Sequence, residues 1–208
     1  MLTGPEIIAR VKAGSIVIDP FIEDHVGPNS VDLRMGNKLL VYPLRPRRTV
    51  PQDEEGHIFP FALVHEELME WTDVLDMKKK PKTDELIIPA DVGLVLIPGK
   101  LYIGSTMEYT ESHDVVPGIE GRSSVGRLGI DVHATAGFGD IGFKGTWTLE
   151  ISVTHPVRVY PGVRICQLYF QEAIGEQTLY TSNKYQGQRD PRPSALWKDF
   201  NVQKEDDG

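Results

Sequence analysis

The nine residues Gly121-Arg122-Ser123-Ser124-Val125-Gly126-Arg127-Leu128-Gly129 hold three glycines, two serines and two arginines. Glycine admits a close backbone approach. Hydroxyls donate hydrogen bonds, and arginine presents a planar fork of donors that suits phosphate. Between two apolar strand patterns, such a run is a candidate phosphate-binding segment. Glu150 follows in the alternating stretch Thr146-Trp147-Thr148-Leu149-Glu150-Ile151-Ser152-Val153. The alternation puts Trp147, Leu149, Ile151 and Val153 on one face and Thr148, Glu150 and Ser152 on the other. A polar face of an antiparallel strand is ordinarily solvated. The alternative is a carboxylate lining a pocket and acting as a general base. Asp140 lies in the glycine-rich stretch Gly137-Phe138-Gly139-Asp140-Ile141-Gly142-Phe143. It either caps a turn or serves a ligand, by accepting a hydrogen bond from a sugar hydroxyl or helping to hold a metal ion. Lys184, Tyr185, Gln188 and Arg189 combine charge, a ring and amides near the end of the chain. Such an arm either closes over a bound triphosphate and excludes water or is a disordered basic tail. His133 reads as a structural residue, and no His-Glu-x-x-His or Cys-x-x-Cys spacing occurs.

The elements that must position these groups are mostly strands. Thr3 to Glu6 reads as a capping box with Pro5 near the first helical position, so a helix should run to about Ala13 and stop at Gly14. Ser15 to Phe21 alternates like a strand. Asn29 to Arg34 begins another, with Val31 and Leu33 on one face. Asp32 and Arg34 share the other face, as a local ion pair or a solvated surface. From Leu86 onward short strands follow at 86–88, 93–97, 101–106, 130–135, 146–153, 157–160 and 165–170, with Pro98-Gly99 and Pro161-Gly162 as tight turns. That spacing predicts an antiparallel sandwich, jelly roll or barrel. Residues 43–85 differ: five prolines, Arg45-Pro46-Arg47-Arg48, Asp53-Glu54-Glu55 and Lys78-Lys79-Lys80 mark an insertion or long excursion, with one helix expected around His65 to Met77.

Composition limits the chemistry. A chain of 208 residues fits one domain, or one with an insertion. The formal net charge of −8 argues against a broad nucleic-acid-binding surface, though not against a pocket for one nucleotide. No apolar run is long enough to span a bilayer, so no membrane association is expected. The first residues lack the basic-then-apolar pattern of a secretory signal. One cysteine, Cys166, excludes an internal disulfide and a multi-cysteine zinc site and suits a reducing cytoplasm.

The run 121–129, Thr135-Ala136-Gly137-Phe138-Gly139-Asp140, Thr148-Leu149-Glu150, Pro161-Gly162 and Lys184-Tyr185-Gln186-Gly187-Gln188, in this order, resemble the dCTP deaminase family, related in fold and site layout to the trimeric dUTPases. The resemblance implies a mainly β chain with a distorted jelly-roll or β-barrel of the dUTPase-like type, a short N-terminal helix and the inserted excursion. Residues 1–182 would form one domain, and 183–208 a flexible arm closing over the nucleotide. It implies a homotrimer with sites shared between subunits, dCTP or dUTP as substrate, and Mg²⁺ carried on the substrate phosphates without direct protein ligands. Glu150 falls where the family keeps its catalytic glutamate. Ser123 falls where a serine helps hold the water, and Arg127 where an arginine supports the site. Arg122, Ser124 and Lys184 match phosphate-binding positions, and Asp140 the aspartate near the deoxyribose. Val125, Gly126, Ala136, Thr148, Leu149, Gln167, Tyr180 and Gln188 complete the implied nucleotide-binding set.

The implied reaction is deamination at C4 without zinc. Zinc deaminases draw their water from a metal held by histidine and cysteines, and one cysteine does not suffice. A positioned glutamate can move the protons instead. Two features depart from the family pattern. Gly139-Asp140-Ile141-Gly142 replaces the more usual Ile-Asp-Pro-Gly, and the excursion at 43–85 is long. Members that stop at dUTP often carry His-Arg after the Thr-Ala pair, whereas those that continue to dUMP and pyrophosphate tend to carry Gly-Phe, as Gly137-Phe138 does here. Two other readings stand beside this one. A plain dUTPase would not need Glu150 and usually has tyrosine where Phe143 stands. A non-catalytic nucleotide sensor on the same fold would bind without turnover.

Overall fold

Helix α1 spans Gly4–Ala13. Pro5 sits in its first turn, where a missing N–H costs nothing. Gly14, at φ 81, ends it by donating its N–H to the carbonyls of Arg10 and Val11. The expected capping box does not form, because the Thr3 side chain makes no capping hydrogen bond. The strands follow as β1 (Ile16–Asp19), β2 (Val31–Arg34), β3 (Lys38–Val41), β4 (Pro46–Arg48), β5 (Met69–Trp71), β6 (Asp84–Ile87), β7 (Leu94–Leu96), β8 (Tyr102–Ser112) and β9 (Val115–Gly121). After the short helix α2 (Ser123–Gly126) come β10 (Ile130–Asp131), β11 (Lys144–Val153), β12 (Val157–Val159) and β13 (Arg164–Glu172), and α3 (Trp197–Phe200) closes the series. This computed structural model describes residues 1–43, 46–48, 69–71, 74–182 and 184–200.

Two compact units result, Met1–Val41 with Asp84–Pro193, and Tyr42–Thr83 with Ser194–Gly208. In the first, β10-β11-β8-β3-β6 form one sheet, to which β1 adds by pairing with β8. A second sheet has the order β2-β13-β9, and β7 pairs with β12. All these pairings are antiparallel. The chain is therefore mainly β, as expected, and among the described residues no sheet closes into a barrel. The core gathers the inward faces: Ile16 and Ile18 of β1, Leu33 and Met35 from the β2 region, Leu149 and Ile151 of β11, Leu168 and Phe170 of β13. In the second unit, β4 pairs with β5.

Several elements differ from the sequence-based expectation. Among the described residues of that expected helix, Met69–Trp71 and 74–77, none is helical. Met69–Trp71 is a strand, because cross-strand pairing with Pro46–Arg48 outweighs a weak helix preference. The remainder of that expected helix, and most of the excursion, lies outside the described residues. The strand expected at 130–135 is only two residues long. The chain turns away after Val132, whose carbonyl still accepts from the Glu150 N–H at 2.9 Å. Strands β3 and β9 were not expected. Pro117, Gly118 and Gly121 disguise β9. Gly118 is required there because the Tyr169 ring lies where a side chain would go.

Strand β8 carries the fold's polar interior. Opposite Trp147 its pairing with β11 is interrupted, the register passing from Thr146↔Tyr109 to Thr148↔Ser105. The Thr106 hydroxyl fills the gap. It accepts from the Trp147 N–H at 3.0 Å and donates to the Glu108 carbonyl at 2.9 Å. In the same irregularity Glu108 is buried, and Arg34 meets it twice, with Nε at 2.6 Å from Oε1 and the backbone N–H at 2.8 Å from Oε2. Asp32 and Arg34, neighbours on one strand face, thus do not pair with each other.

Farther along β8, Glu111 receives Lys144 Nζ at 3.1 Å and His113 Nε2 at 3.1 Å on Oε2, and the Tyr109 hydroxyl at 3.0 Å on Oε1. Burial pushes this carboxyl upward. The hydrogen bonds from Lys144 and Tyr109 and the positive charges of Lys144 and His113 outweigh that and hold it below its ordinary value of 4.5. A carboxyl lowered on folding stabilises the fold above its ordinary value, and that contribution is lost as pH falls through the folded one. Glu111→Gln should therefore cost about 0.5–1 kcal/mol near neutral pH. The difference from wild type should shrink steadily once the pH drops below 4.5. Urea midpoints measured across that range check this, and a difference independent of pH would remove the electrostatic account.

Candidate active site

The run after β9 folds as a tight turn. Arg122 is extended and precedes the helical turn α2, in which Val125 and Gly126 donate to the Arg122 carbonyl and Arg127 to that of Ser123. Val125 is buried and pins the turn to the core. Gly129, at φ 69, packs where any side chain would strike Thr154 Oγ1 and the His155 ring. Ser123, Ser124, Gly126 and Arg127 are left at the surface. Among the described residues the side chains of Ser123, Ser124 and Arg127 make no hydrogen bond or ion pair.

Arg122 is held from the neighbouring sheet. Its Nε lies 3.0 Å from Asp32 Oδ1, and its Nη1 donates to the Arg164 carbonyl at 3.0 Å. Arg164 Nη1 takes the other Asp32 oxygen at 3.2 Å. Gln167 sits between Asp32 and Glu120 in the strand register. Its Nε2 donates to the Gly121 carbonyl at 3.2 Å, and its Oε1 accepts from Ser30 at 3.1 Å. Both ends of the Gln167 amide thus fix the strand end that launches the run. Asp32 and Arg164 were missed as supports. The only signal in the sequence was the polar alternation of Asn29 to Arg34.

Glu150 stands on β11 as the alternation predicts. Trp147, Leu149, Ile151 and Val153 are buried, while Thr148, Glu150 and Ser152 form a half-buried face. The segment 130–132 covers the edge of that strand: Ile130 pairs with Val153 and Asp131 with Ser152. Among the described residues the Glu150 carboxylate has no hydrogen-bond or salt-bridge partner. Farther along the same edge of β11, the one away from β8, the tail docks. Gly187 donates to the Lys144 carbonyl at 2.7 Å, and the Thr146 N–H donates to the Gln188 carbonyl at 2.9 Å. Gln188 is buried, and its Nε2 donates to the Thr146 carbonyl at 2.7 Å and Thr148 Oγ1 at 3.0 Å. Its Oε1 is buried and has no hydrogen-bond partner among the described residues. Lys184 begins this segment and accepts at its carbonyl from Arg192 at 3.4 Å.

Asp140 and Tyr180 line one cavity of about 390 Å³, together with Phe138, Gly139, Ile141 and Leu179. Phe143 meets Tyr180 edge-on, with ring centroids 5.9 Å apart, and lies tilted against the Trp147 ring at 5.7 Å. The loop departs from the family pattern for packing reasons. A side chain at residue 139 would stand 2.5 Å from the Trp147 indole, so glycine is required. Ile141 is buried, and Gly142 makes the turn at φ 87 without a proline. Ala136 is exposed on the approach to this loop. The Asp140 side chain has no partner among the described residues. His133 lies apart from the cavity lining, with Nε2 3.7 Å from Glu120 Oε2.

The chain therefore assembles two polar groups. One is the run 121–127 with its supports Asp32, Arg164 and Gln167. The other joins Thr148 and Gln188 on the face of β11 that carries Glu150, and the cavity of Asp140 and Tyr180 lies in the same unit. Among the described residues no hydrogen bond or ion pair links Ser123 or Arg127 to Glu150. No cluster of three or more histidine, cysteine, aspartate or glutamate side chains suited to a metal ion occurs among the described residues. Nor is any helix among them long and apolar enough to cross a membrane.

The comparisons with known proteins give this mainly antiparallel fold, with its serine-arginine turn and its glutamate on a strand face, a family of nucleotide hydrolases. The family profile described as dCTP deaminase-like matches residues 1–173, and this chain belongs to that family. A protein of Clostridium acetobutylicum named "dCTP deaminase, dUMP-forming" is 49% identical over 185 residues, covering 89% of this chain and 90% of its own length. One of the same name from Leptospira biflexa is 47% identical over 200 residues, covering 96% and 98%. The crystal structure of 2'-deoxycytidine 5'-triphosphate deaminase from Agrobacterium tumefaciens shares the fold, with a TM-score of 0.55 over 83% of this chain at 24% identity. This chain spans 48% of that solved chain.

Proposed function

We propose that this chain hydrolyses dCTP to dUMP, by deamination at C4 followed by release of pyrophosphate. The observation that carries the reading is the Glu150 carboxylate, without a partner among the described residues, on the half-buried face of β11 that also carries Thr148, to which Gln188 is bonded. The dUMP-forming names of the relatives support it, and Gly137-Phe138 is in keeping with it. In the first half-reaction the oxygen of a water bonds to C4 while its proton passes to Glu150. The carboxyl gives that proton to N3, then takes the proton of the new C4 hydroxyl and passes it to the amine; as the C4–N bond breaks the C4 carbonyl forms, and ammonia leaves. Ser123 orients the water and Arg127 supports the site. In the second half-reaction a water oxygen bonds to the α-phosphorus, and the bond to the bridging oxygen breaks to give dUMP and pyrophosphate.

Arg122, Ser124 and Lys184 bind the phosphates. Their donors suit phosphate oxygens, not a cation, so Mg²⁺ enters as part of the Mg²⁺–nucleotide substrate. The reading needs no zinc. Asp140 takes the deoxyribose and Tyr180 closes the cavity around it, with Val125, Gly126, Ala136, Leu149 and Gln167 shaping the surroundings. The separation of Ser123 and Arg127 from any contact with Glu150 in one chain supports a homotrimer in which the run of one subunit completes the site of another. The 183–208 arm would cover the bound nucleotide, and the setting is the cytoplasm.

Incubation with dCTP and Mg²⁺, following ammonia, dUTP, dUMP and pyrophosphate together, tests the reading. Ammonia and pyrophosphate should appear in equal amounts, with little free dUTP. Pyrophosphate from dUTP without ammonia from dCTP would make the chain a plain dUTPase. Tight binding without turnover would make it a sensor.

A further inference from the structure

The C-terminal segment that carries Gln188 is tied down at its next residue. The Arg189 guanidinium lies over the Tyr109 ring, 4.2 Å from its centroid. Tyr109 is itself held: its hydroxyl donates to Glu111 Oε1 at 3.0 Å, and Glu111 is gripped by Lys144 at 3.1 Å. Lys144 also meets the segment through its backbone, its N–H donating to Gln186 Oε1 at 3.0 Å and its carbonyl accepting from Gly187 at 2.7 Å. Tyr109 and Glu111 of β8 stand opposite Thr146 and Lys144 of β11 in the register. The stack therefore ties the segment to β8 and the backbone ladder ties it to β11, at facing positions of the two strands. Between them lies Gln188, whose amide reaches Thr148 Oγ1 at 3.0 Å.

We propose that Arg189 and Tyr109 are positioning residues for nucleotide binding. Their stack fixes the segment so that the Gln188 amide stands beside Thr148 at the site. The proposal rests on Gln188 being a nucleotide contact. A ring and a guanidinium are suited to this task. The stack tolerates small lateral shifts but resists lifting, so the segment keeps its height over β11 while a ligand enters.

The test measures dCTP binding by calorimetry with Mg²⁺ alongside KM and kcat, so that loss of turnover does not hide the result. Arg189→Met and Tyr109→Leu should each weaken binding and raise KM by about two- to fivefold, with much smaller changes in kcat. Tyr109→Phe keeps the ring face and should recover most of the affinity. A role confined to general stability would lower the melting temperature without this split. In a Gln188→Ala background, Arg189→Met should have little further effect on binding, because the anchor acts through Gln188. Full additivity of the two losses would overturn the proposal, and so would unchanged binding in Arg189→Met when Gln188→Ala binds weakly. If Gln188→Ala alone binds normally, Gln188 is not a nucleotide contact and the anchor proposal falls with it.

Discussion

Glu150→Gln is expected to reduce ammonia release from dCTP by about 10²- to 10⁴-fold, the range attributed to a positioned general acid–base, while dCTP binding changes little. The amide keeps the size and shape of the carboxyl on the half-buried face of β11. It accepts no proton from the attacking water and gives none back to the leaving amine. Because the wild-type carboxylate has no partner among the described residues, the substitution breaks no structural contact, and the fold should melt as before. The measurement pairs single-turnover ammonia release with calorimetric binding. An amide variant that still deaminates at the wild-type rate would show that the proton carrier lies elsewhere. In that case the half-buried face would serve only to bind.

Arg34→Met should destabilise the β unit by about 3–5 kcal/mol. The Glu108 carboxylate is 2% exposed and takes both the guanidinium and the backbone N–H of Arg34. Methionine fills most of the space but leaves that charge buried beside a single N–H. Glu108→Gln should cost much less, since the amide oxygen can keep one of the two bonds. The double change Arg34→Met with Glu108→Leu should recover a large part of the loss, because a packed apolar pair needs no counter-charge. Urea denaturation of the three variants decides this. If Arg34→Met lost under about 1 kcal/mol, the pair would be tolerating solvent and would not count as buried.

Much of this architecture was legible because one face of each strand is buried. The alternation in Thr146 to Val153 and Asn29 to Arg34 read true, since a period of two has a single interpretation once one side is apolar. Gly14, Gly99 and Gly162, all at positive φ, ended elements where glycine predicted turns. What stayed hidden depends on contacts distant in sequence. Strand β9 carries Pro117 and Gly118, which argue locally against a strand, yet it pairs along its length with β13. The run 121–129 read only as a candidate phosphate-binding segment; that Ser123–Gly126 would wind into α2, with Val125 buried, was not visible in it. The partners of Asp32 and Arg34 come from β9–α2, β13 and β8, and no local pattern names them. The candidate site was visible as a set of residue types in order. Its division into two groups was not, because that division is set by which strand edge each loop leaves from.

The Thr106 hydroxyl between Trp147 and Glu108 has a mechanical consequence. At that point the ladder between β8 and β11 is carried by a side chain standing in for a peptide group. Threonine is the hydroxyl residue whose first torsion is most restricted, so the splice is stiff. The Lys144–Thr146 end of β11, gripped by the tail, and the Glu150 end, flanked by the Ile130–Val132 segment, are thus spliced into one beam. Without that hydroxyl the Trp147 N–H would lose its partner midway between the two ends.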